Sequence, residues 1–227
     1  MLETSKDVPS GWDSDYTEDA IRRFVLRLKP HWVFFQEVPG PVPPFVEGYV
    51  LIRQQTKSHS GGNIVTLLRE DLSVLPITHS LSEGFGVQSE LHGVDTTIAN
   101  VHLAPGKAGA ALRLNMLERI RDATTSSRVL VVGDTNTRLA EEKKIGKLGL
   151  SGAKPPSATW DSRINRFRAG MSGFSAYYTR YFVAGNIQVG EVTVHDKPLN
   201  VDGKKFHLSD HFPLSAKFAI PAPEDNN

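Results

Sequence analysis

The chain is predicted to be one α/β domain in which two β-sheets pack face to face with helices outside. Three observations lead there. A length of 227 residues with 39% apolar content suffices for one sizeable, two-layered core. Short strand-like runs outnumber segments of helical periodicity. Glycine (19) and proline (14) are plentiful and no internal repeat or low-complexity tract occurs, so the chain is loop-rich rather than a bundle. Residues 1–219 are expected to form the domain, with 220–227 a disordered tail.

From Thr17 to Leu28 the apolar residues Ala20, Ile21, Phe24, Val25 and Leu28 recur at helical spacing, with Thr17 as N-cap and Pro30 closing the helix. Trp32 to Phe35 is a β-type run that ends in Gln36 and Glu37, ahead of a proline-rich stretch that forbids regular structure. Tyr49–Arg53, Ile64–Leu68 and Ser73–Thr78 read as strands of a meander. Gly86–Leu91 and Thr96–Leu103 read as a hairpin whose second strand carries His102 at its end. Ala110–Arg121 is helical, with Leu114, Leu117 and Ile120 on one face, and Val129–Val132 is a fully apolar strand that stops at Gly133 and Asp134. A short helix over Ala140–Leu148 and strands over Tyr177–Val183, Ile187–Val194 and Phe212–Phe218 complete the reading.

Cysteine is absent, which excludes disulfides, thiolate–zinc sites and cysteine nucleophiles. Any metal must then be held by oxygen and imidazole, which favours a hard ion such as Mg²⁺ or Mn²⁺. No apolar run reaches membrane-spanning length and the first residues are rich in charged and hydroxyl side chains, so a soluble, intracellular protein is expected, cytoplasm and nucleus being indistinguishable. A net charge of +1 gives no global polyanion footprint. Locally, bases outnumber acids between Arg138 and Arg168, a candidate phosphate-backbone surface that includes Arg163 and Arg166. Oligomeric state is not legible.

The chemistry-bearing residues lie at strand ends. In G-D-T-N, Asp134 and Asn136 stand two apart, where a carboxylate can orient or deprotonate water and an amide can donate to a phosphoryl oxygen. In S-D-H-F-P, Asp210 and His211 supply a ligand oxygen and an imidazole together, immediately before the last strand. Each motif alone is a common turn signal. Their order carries more.

That order, Q-E at Gln36–Glu37, N-V-H-L at Asn100–Leu103, G-D-T-N at Gly133–Asn136 and S-D-H-F-P at Ser209–Pro213, resembles the endonuclease/exonuclease/phosphatase superfamily. With T-W-D at Thr159–Asp161 it is most similar to the 5′-tyrosyl-DNA phosphodiesterase branch. The resemblance implies a four-layer α/β/β/α sandwich. It also implies Mg²⁺ or Mn²⁺ on Glu37, with Asp210 as a second contributor. Asp134 would activate water, Asn136 and His102 would hold phosphoryl oxygens, and His211 would stabilise charge or handle the proton. Trp160 would shape the pocket or stack on substrate, with simple core packing the equal alternative. Arg113, where the family commonly has an arginine, reads better as a structural ion-pair partner.

Two departures stand against the family pattern. Nothing upstream of Gly11 matches its first strand and asparagine, so either the first family strand is lacking or the true start lies upstream. Thr179 occupies the place of an aspartate that orients the imidazole of S-D-H. The expected function is therefore metal-dependent hydrolysis of phosphodiesters in nucleic acid. The rivals are a phosphatase or phosphodiesterase for a small phosphorylated metabolite or lipid, and a non-catalytic binding module.

Overall fold

A computed structural model of the protein describes residues 14–38, 45–55, 62–72, 76–81, 84–91, 94–164, 173–201 and 203–221. In chain order the elements are α1 (Ser14–Leu28), β1 (Trp32–Val38), β2 (Tyr49–Gln55), β3 (Asn63–Arg69), β4 (Pro76–Leu81), β5 (Gly84–Leu91), β6 (Val94–His102), α2 (Ala110–Ala123) and β7 (Arg128–Asp134). A 3₁₀ turn (Leu139–Glu141) then runs into α3 (Glu142–Gly146). There follow β8 (Trp160–Asp161), β9 (Ser175–Ala176), β10 (Thr179–Ala184), β11 (Gln188–Val194), β12 (Leu199–Val201), β13 (Lys204–Phe206) and β14 (Leu214–Ala219).

Two sheets form the centre. One has the order β1-β3-β2, and the other β10-β7-β6-β5-β4. The expected meander over β2, β3 and β4 is half right: β2 and β3 pair antiparallel, but β4 leaves for the other sheet and pairs with β5. Strand runs of this kind reveal a strand's presence but not which sheet buries it. The hairpin of β5 and β6 is as expected. β8 with β9 and β12 with β13 are two- and three-residue pairings, too short for any periodicity.

Alternation along β1 sets the layers. Trp32 and Phe34 face inward and pack with Ile98, Leu130, Val132, Tyr181 and Val183 of the five-stranded sheet, together with Leu214 and Phe218 of β14. Val33 and Phe35 face outward, where α1 lays Ile21 and Val25 against Val65 and Leu67. The far face of the five-stranded sheet, Ala99, Val101, Val129, Val131 and Phe182, is covered by Met116, Leu117 and Ile120 of α2 and by Ile145 of α3. The order helix, sheet, sheet, helix is thus built by period-2 burial in the strands and one apolar stripe per helix.

Helix α1 begins at Ser14, before the expected cap Thr17, and its first turns are held by Asp19 accepting from Arg22 and Arg23 at 2.5 and 2.6 Å. Among the described residues no strand precedes α1, β1 borders its sheet, and β14 pairs only with β11. No described helix is long and apolar enough to cross a membrane. Of the expected tail 220–227, residues 222–227 lie outside the described residues.

Candidate active site

Glu37 is presented by the end of β1 in a left-handed conformation, φ 55°. A non-glycine residue there is uncommon. Gly62 makes room for it, because a Cβ on Gly62 would fall 2.4 Å from the Glu37 Cα. Beside it, Gln36 donates through Nε2 to Asn100 Oδ1 at 2.6 Å, and Asn100 Nδ2 donates across to Val65 O (3.0 Å) and Thr66 Oγ1 (3.1 Å). Asn100 belongs to the opposite sheet and is 1% exposed, so its amide ties the two sheets together directly behind Glu37.

His102 and Asp134 come from β6 and β7, which pair in parallel with these two residues opposite each other. Parallel neighbours end on the same side, so one turn of sequence brings imidazole and carboxylate out together. Gly133, φ 131°, is required here: a Cβ would lie 2.2 Å from Val101 O. Asn136 is also left-handed, φ 49°, its backbone N–H donating to Asp134 Oδ1 (3.1 Å) and its Nδ2 to Leu103 O (3.0 Å). Asn is among the residues that tolerate this conformation best.

The third wall is made by the S-D-H segment. Phe212 N–H donates to Thr159 O at 2.8 Å and Trp160 bridges to His211, so the T-W-D strand fixes the loop. His211 Nδ1 shares a hydrogen bond of 3.0 Å with Thr179 Oγ1, which leaves Nε2 aimed at the site. His102 Nε2 lies 3.4 Å from Asp134 Oδ2 and 3.6 Å from Glu37 Oε1, and His211 Nε2 lies 3.7 Å from the same Asp134 oxygen. Glu37, His102, Asp134 and His211 therefore converge on one point, with Asn136 on its edge. Asp210 adjoins His211 in the chain, its carboxylate accepting from Ser209 Oγ at 3.3 Å.

The proposed substrate contacts fare unevenly. Trp160 is 6% exposed and packs on Phe174 at 4.5 Å and Tyr178 at 6.2 Å, so burial is its main state. Arg163 is engaged locally: Nε donates to Asp161 Oδ1 at 2.8 Å and Nη2 pairs with Oδ2, which holds the Asp161 carboxyl below its usual range. The basic segment is thus not a row of uncommitted cations at this point. Arg166 lies outside the described residues.

Two residues, Tyr178 and Phe174, escaped the sequence reading as parts of the site, whereas Arg138 is the first base of the expected phosphate-backbone surface. Tyr178 lies 6.2 Å from the His211 ring, and Arg138 stands over Tyr178 at 6.0 Å. Phe174 is exposed beside Trp160. Only proximity to T-W-D in the chain could have flagged the two aromatics. Arg113 is indeed an ion-pair partner, fully buried against Glu141.

Two sheets back to back, flanked by helices, with polar side chains gathered where their strands end, is the fold of the endonuclease/exonuclease/phosphatase structures. Danio rerio TDP2 complexed with a single-strand DNA product superposes with TM-score 0.68 and 18% identity, over 93% of this chain and 94% of that one. An endonuclease/exonuclease/phosphatase family protein from Leptotrichia buccalis gives 0.66 and 15%, over 95% and 97%. The mannosyl-6-phosphatase Bt3783 of Bacteroides thetaiotaomicron gives 0.62 and 14%, over 91% of each. At these identities the likeness is one of fold. No protein-family model matches the chain, and no curated protein matches it in sequence.

Proposed function

We propose that the chain is a divalent-metal-dependent hydrolase of phosphodiester bonds, acting on nucleic acid ends. The observation that carries this is the meeting of Asp134 with two imidazole Nε2 atoms, 3.4 and 3.7 Å from one carboxylate oxygen, at the strand ends of a fold shared with phosphoester hydrolases. An oxygen and imidazole donor set suits Mg²⁺ or Mn²⁺. Among the described residues no three His, Cys, Asp or Glu side chains form a ready cage. Mg²⁺ fits such a site, since it takes one or two carboxylates and keeps several waters. Glu37, partly exposed, would hold it, with Asp210 as the second contributor. When bound, the ion supplies Lewis-acid stabilisation of phosphoryl charge.

The chain's own groups do the rest. Asp134 orients the attacking water and takes its proton. His102 and Asn136 donate to phosphoryl oxygens; Asn136 has one amide hydrogen committed to Leu103 O and the other free to serve. In the tautomer where the Thr179 hydroxyl donates to His211 Nδ1, at 3.0 Å, the imidazole proton is on Nε2, where it would stabilise the developing charge. Phe174 and Tyr178 present aromatic surface beside His211 and Arg138 supplies a cation, the composition that holds a single strand by stacking and charge. Trp160 backs that surface, and Arg163 and Arg166 remain candidates for the strand beyond it.

A second reading, a phosphatase for a small phosphorylated metabolite, draws on the likeness to the mannosyl-6-phosphatase. Turnover of a 5′-tyrosyl oligonucleotide, a plain single strand, a generic phosphodiester and a sugar phosphate, with Mg²⁺ or Mn²⁺, separates the readings. Asp134→Asn is expected to lower kcat by about a hundredfold or more. Activity confined to the sugar phosphate selects the second reading. Equal rates for both proteins overturn catalysis at this site and leave the binding module.

A further inference from the structure

Arg113 does more than neutralise Glu141. Its guanidinium is fully buried and makes four bonds: Nε to Glu141 Oε2 (3.0 Å), Nη2 to Glu141 Oε1 (2.5 Å), and Nη1 to both Ala104 O (2.7 Å) and Gly106 O (2.8 Å). Ala104 and Gly106 are in the loop that leaves His102, whereas Glu141 closes the loop that leaves Asp134 and Asn136. Gly109 permits the approach, since a Cβ there would lie 3.0 Å from Arg113 Nη1 and 2.6 Å from Pro105 O. Closer to the site the same two loops touch again, through Asn136 Nδ2 on Leu103 O and Leu103 N–H on Asp134 O at 2.8 Å.

We infer that the Arg113–Glu141 pair is a positioning device that locks the His102 loop to the Asp134–Asn136 loop and so fixes the spacing of the site. Several features set it apart from an ordinary stabilising ion pair. The bidentate fork allows only one orientation of the guanidinium. The two carbonyls take both Nη1 hydrogens on the face that the carboxylate leaves, so four of the five guanidinium N–H groups hold one loop or the other. The neighbouring pair, Arg180 Nη2 with Glu142 Oε1 at 2.6 Å, is different: it touches only one of the two loops, and Arg180 Nε and Nη1 have no hydrogen-bond partner among the described residues. It ties α3 to β10 but does not join the two loops to each other.

A structural role predicts that stability and turnover recover together; a positioning role predicts that they separate. The inference rests on the hydrolase reading, so one readout is independent of activity. Glu141→Gln removes the charge and sets an amide against the fork. Arg113→Met with Glu141→Leu replaces the pair by apolar side chains of similar size, a change that often keeps stability but deletes both carbonyl contacts. Glu142→Gln is the comparator. Amide exchange by NMR is read at Leu103 and Asn136 against Val131, in the core of β7.

Both Arg113-site variants are expected to speed exchange at Leu103 and Asn136 by about tenfold more than at Val131, as local opening would. With substrate, kcat falls about tenfold or more at nearly constant KM in the Met/Leu protein even where its melting midpoint matches wild type, consistent with a loss of geometry rather than of binding. Glu142→Gln changes neither ratio. Uniform acceleration of all three amides, or a Met/Leu protein restored in both stability and kcat, would overturn the inference. An inactive wild type that still shows the local exchange pattern would refute the hydrolase reading and leave the lock between the loops standing.

Discussion

Replacing Asn100 by leucine should cost more than its single position suggests, because this amide joins the two sheets. Its Oδ1 accepts from Gln36 at 2.6 Å, and its Nδ2 is shared among Val65 O, Thr66 Oγ1 and, at 3.3 Å, Phe35 O. Two N–H groups and one strong acceptor amount to about three net hydrogen bonds, each worth about 1 kcal/mol. Leucine fills nearly the same volume, so little cavity term is added. The expected loss is about 3 kcal/mol, which for a chain of this size lowers Tm by about 6–12 °C. Urea unfolding with an unchanged m-value measures it. Because Gln36 precedes Glu37, kcat should drop in parallel while the protein remains folded. A loss below about 1 kcal/mol would refute the reasoning and assign the joining of the sheets to apolar packing alone.

Gly133→Ala combines a left-handed backbone with a Cβ 2.2 Å from Val101 O, so a loss of about 3 kcal/mol or more and near-complete inactivity are expected from melts and turnover of the same preparation. Thr179→Val keeps the volume and deletes the hydroxyl on His211 Nδ1; kcat should fall about fivefold to tenfold with Tm nearly unchanged, and an unaltered kcat would remove Thr179 from the site. Burial first, then the charge of Arg27, holds the His195 imidazole below its ordinary range against Phe24 and Ser215. The unfolded chain therefore protonates first, near pH 6.5, so this group's stabilisation is present above that pH and is lost as pH falls through the lower folded value. His195→Asn should flatten the pH dependence of urea midpoints as pH falls below about 6.5.

The strand ends were legible because an apolar run that stops at a polar residue leaves little choice about where the residue emerges: β1 delivers Glu37, β6 His102 and β7 Asp134. The sandwich was legible from the same runs together with the stripes of α1 and α2. What β4 would pair with was not, since its sheet is chosen by distant packing. Nor was the setting of Arg163, whose partner Asp161 lies only two residues away but whose commitment depends on the turn between them. The aromatic surface around Tyr178 needs β8, β9 and β10 folded together before it exists. Arg113 showed the reverse case: its ion pair was foreseen, yet the two carbonyls that give it a second task belong to backbone, which sequence patterns do not display.

The parallel pairing of β6 and β7 sets His102 opposite Asp134 and Val101 opposite Gly133. A slip by one residue would exchange the inward and outward faces of the moved strand and at the same stroke part the imidazole from its carboxylate. Misalignment cannot hide as a merely softened fold. Substitutions that accumulate in these two strands are consequently screened twice by a single test, and turnover becomes a sensitive gauge of whether a newly made chain has found its alignment.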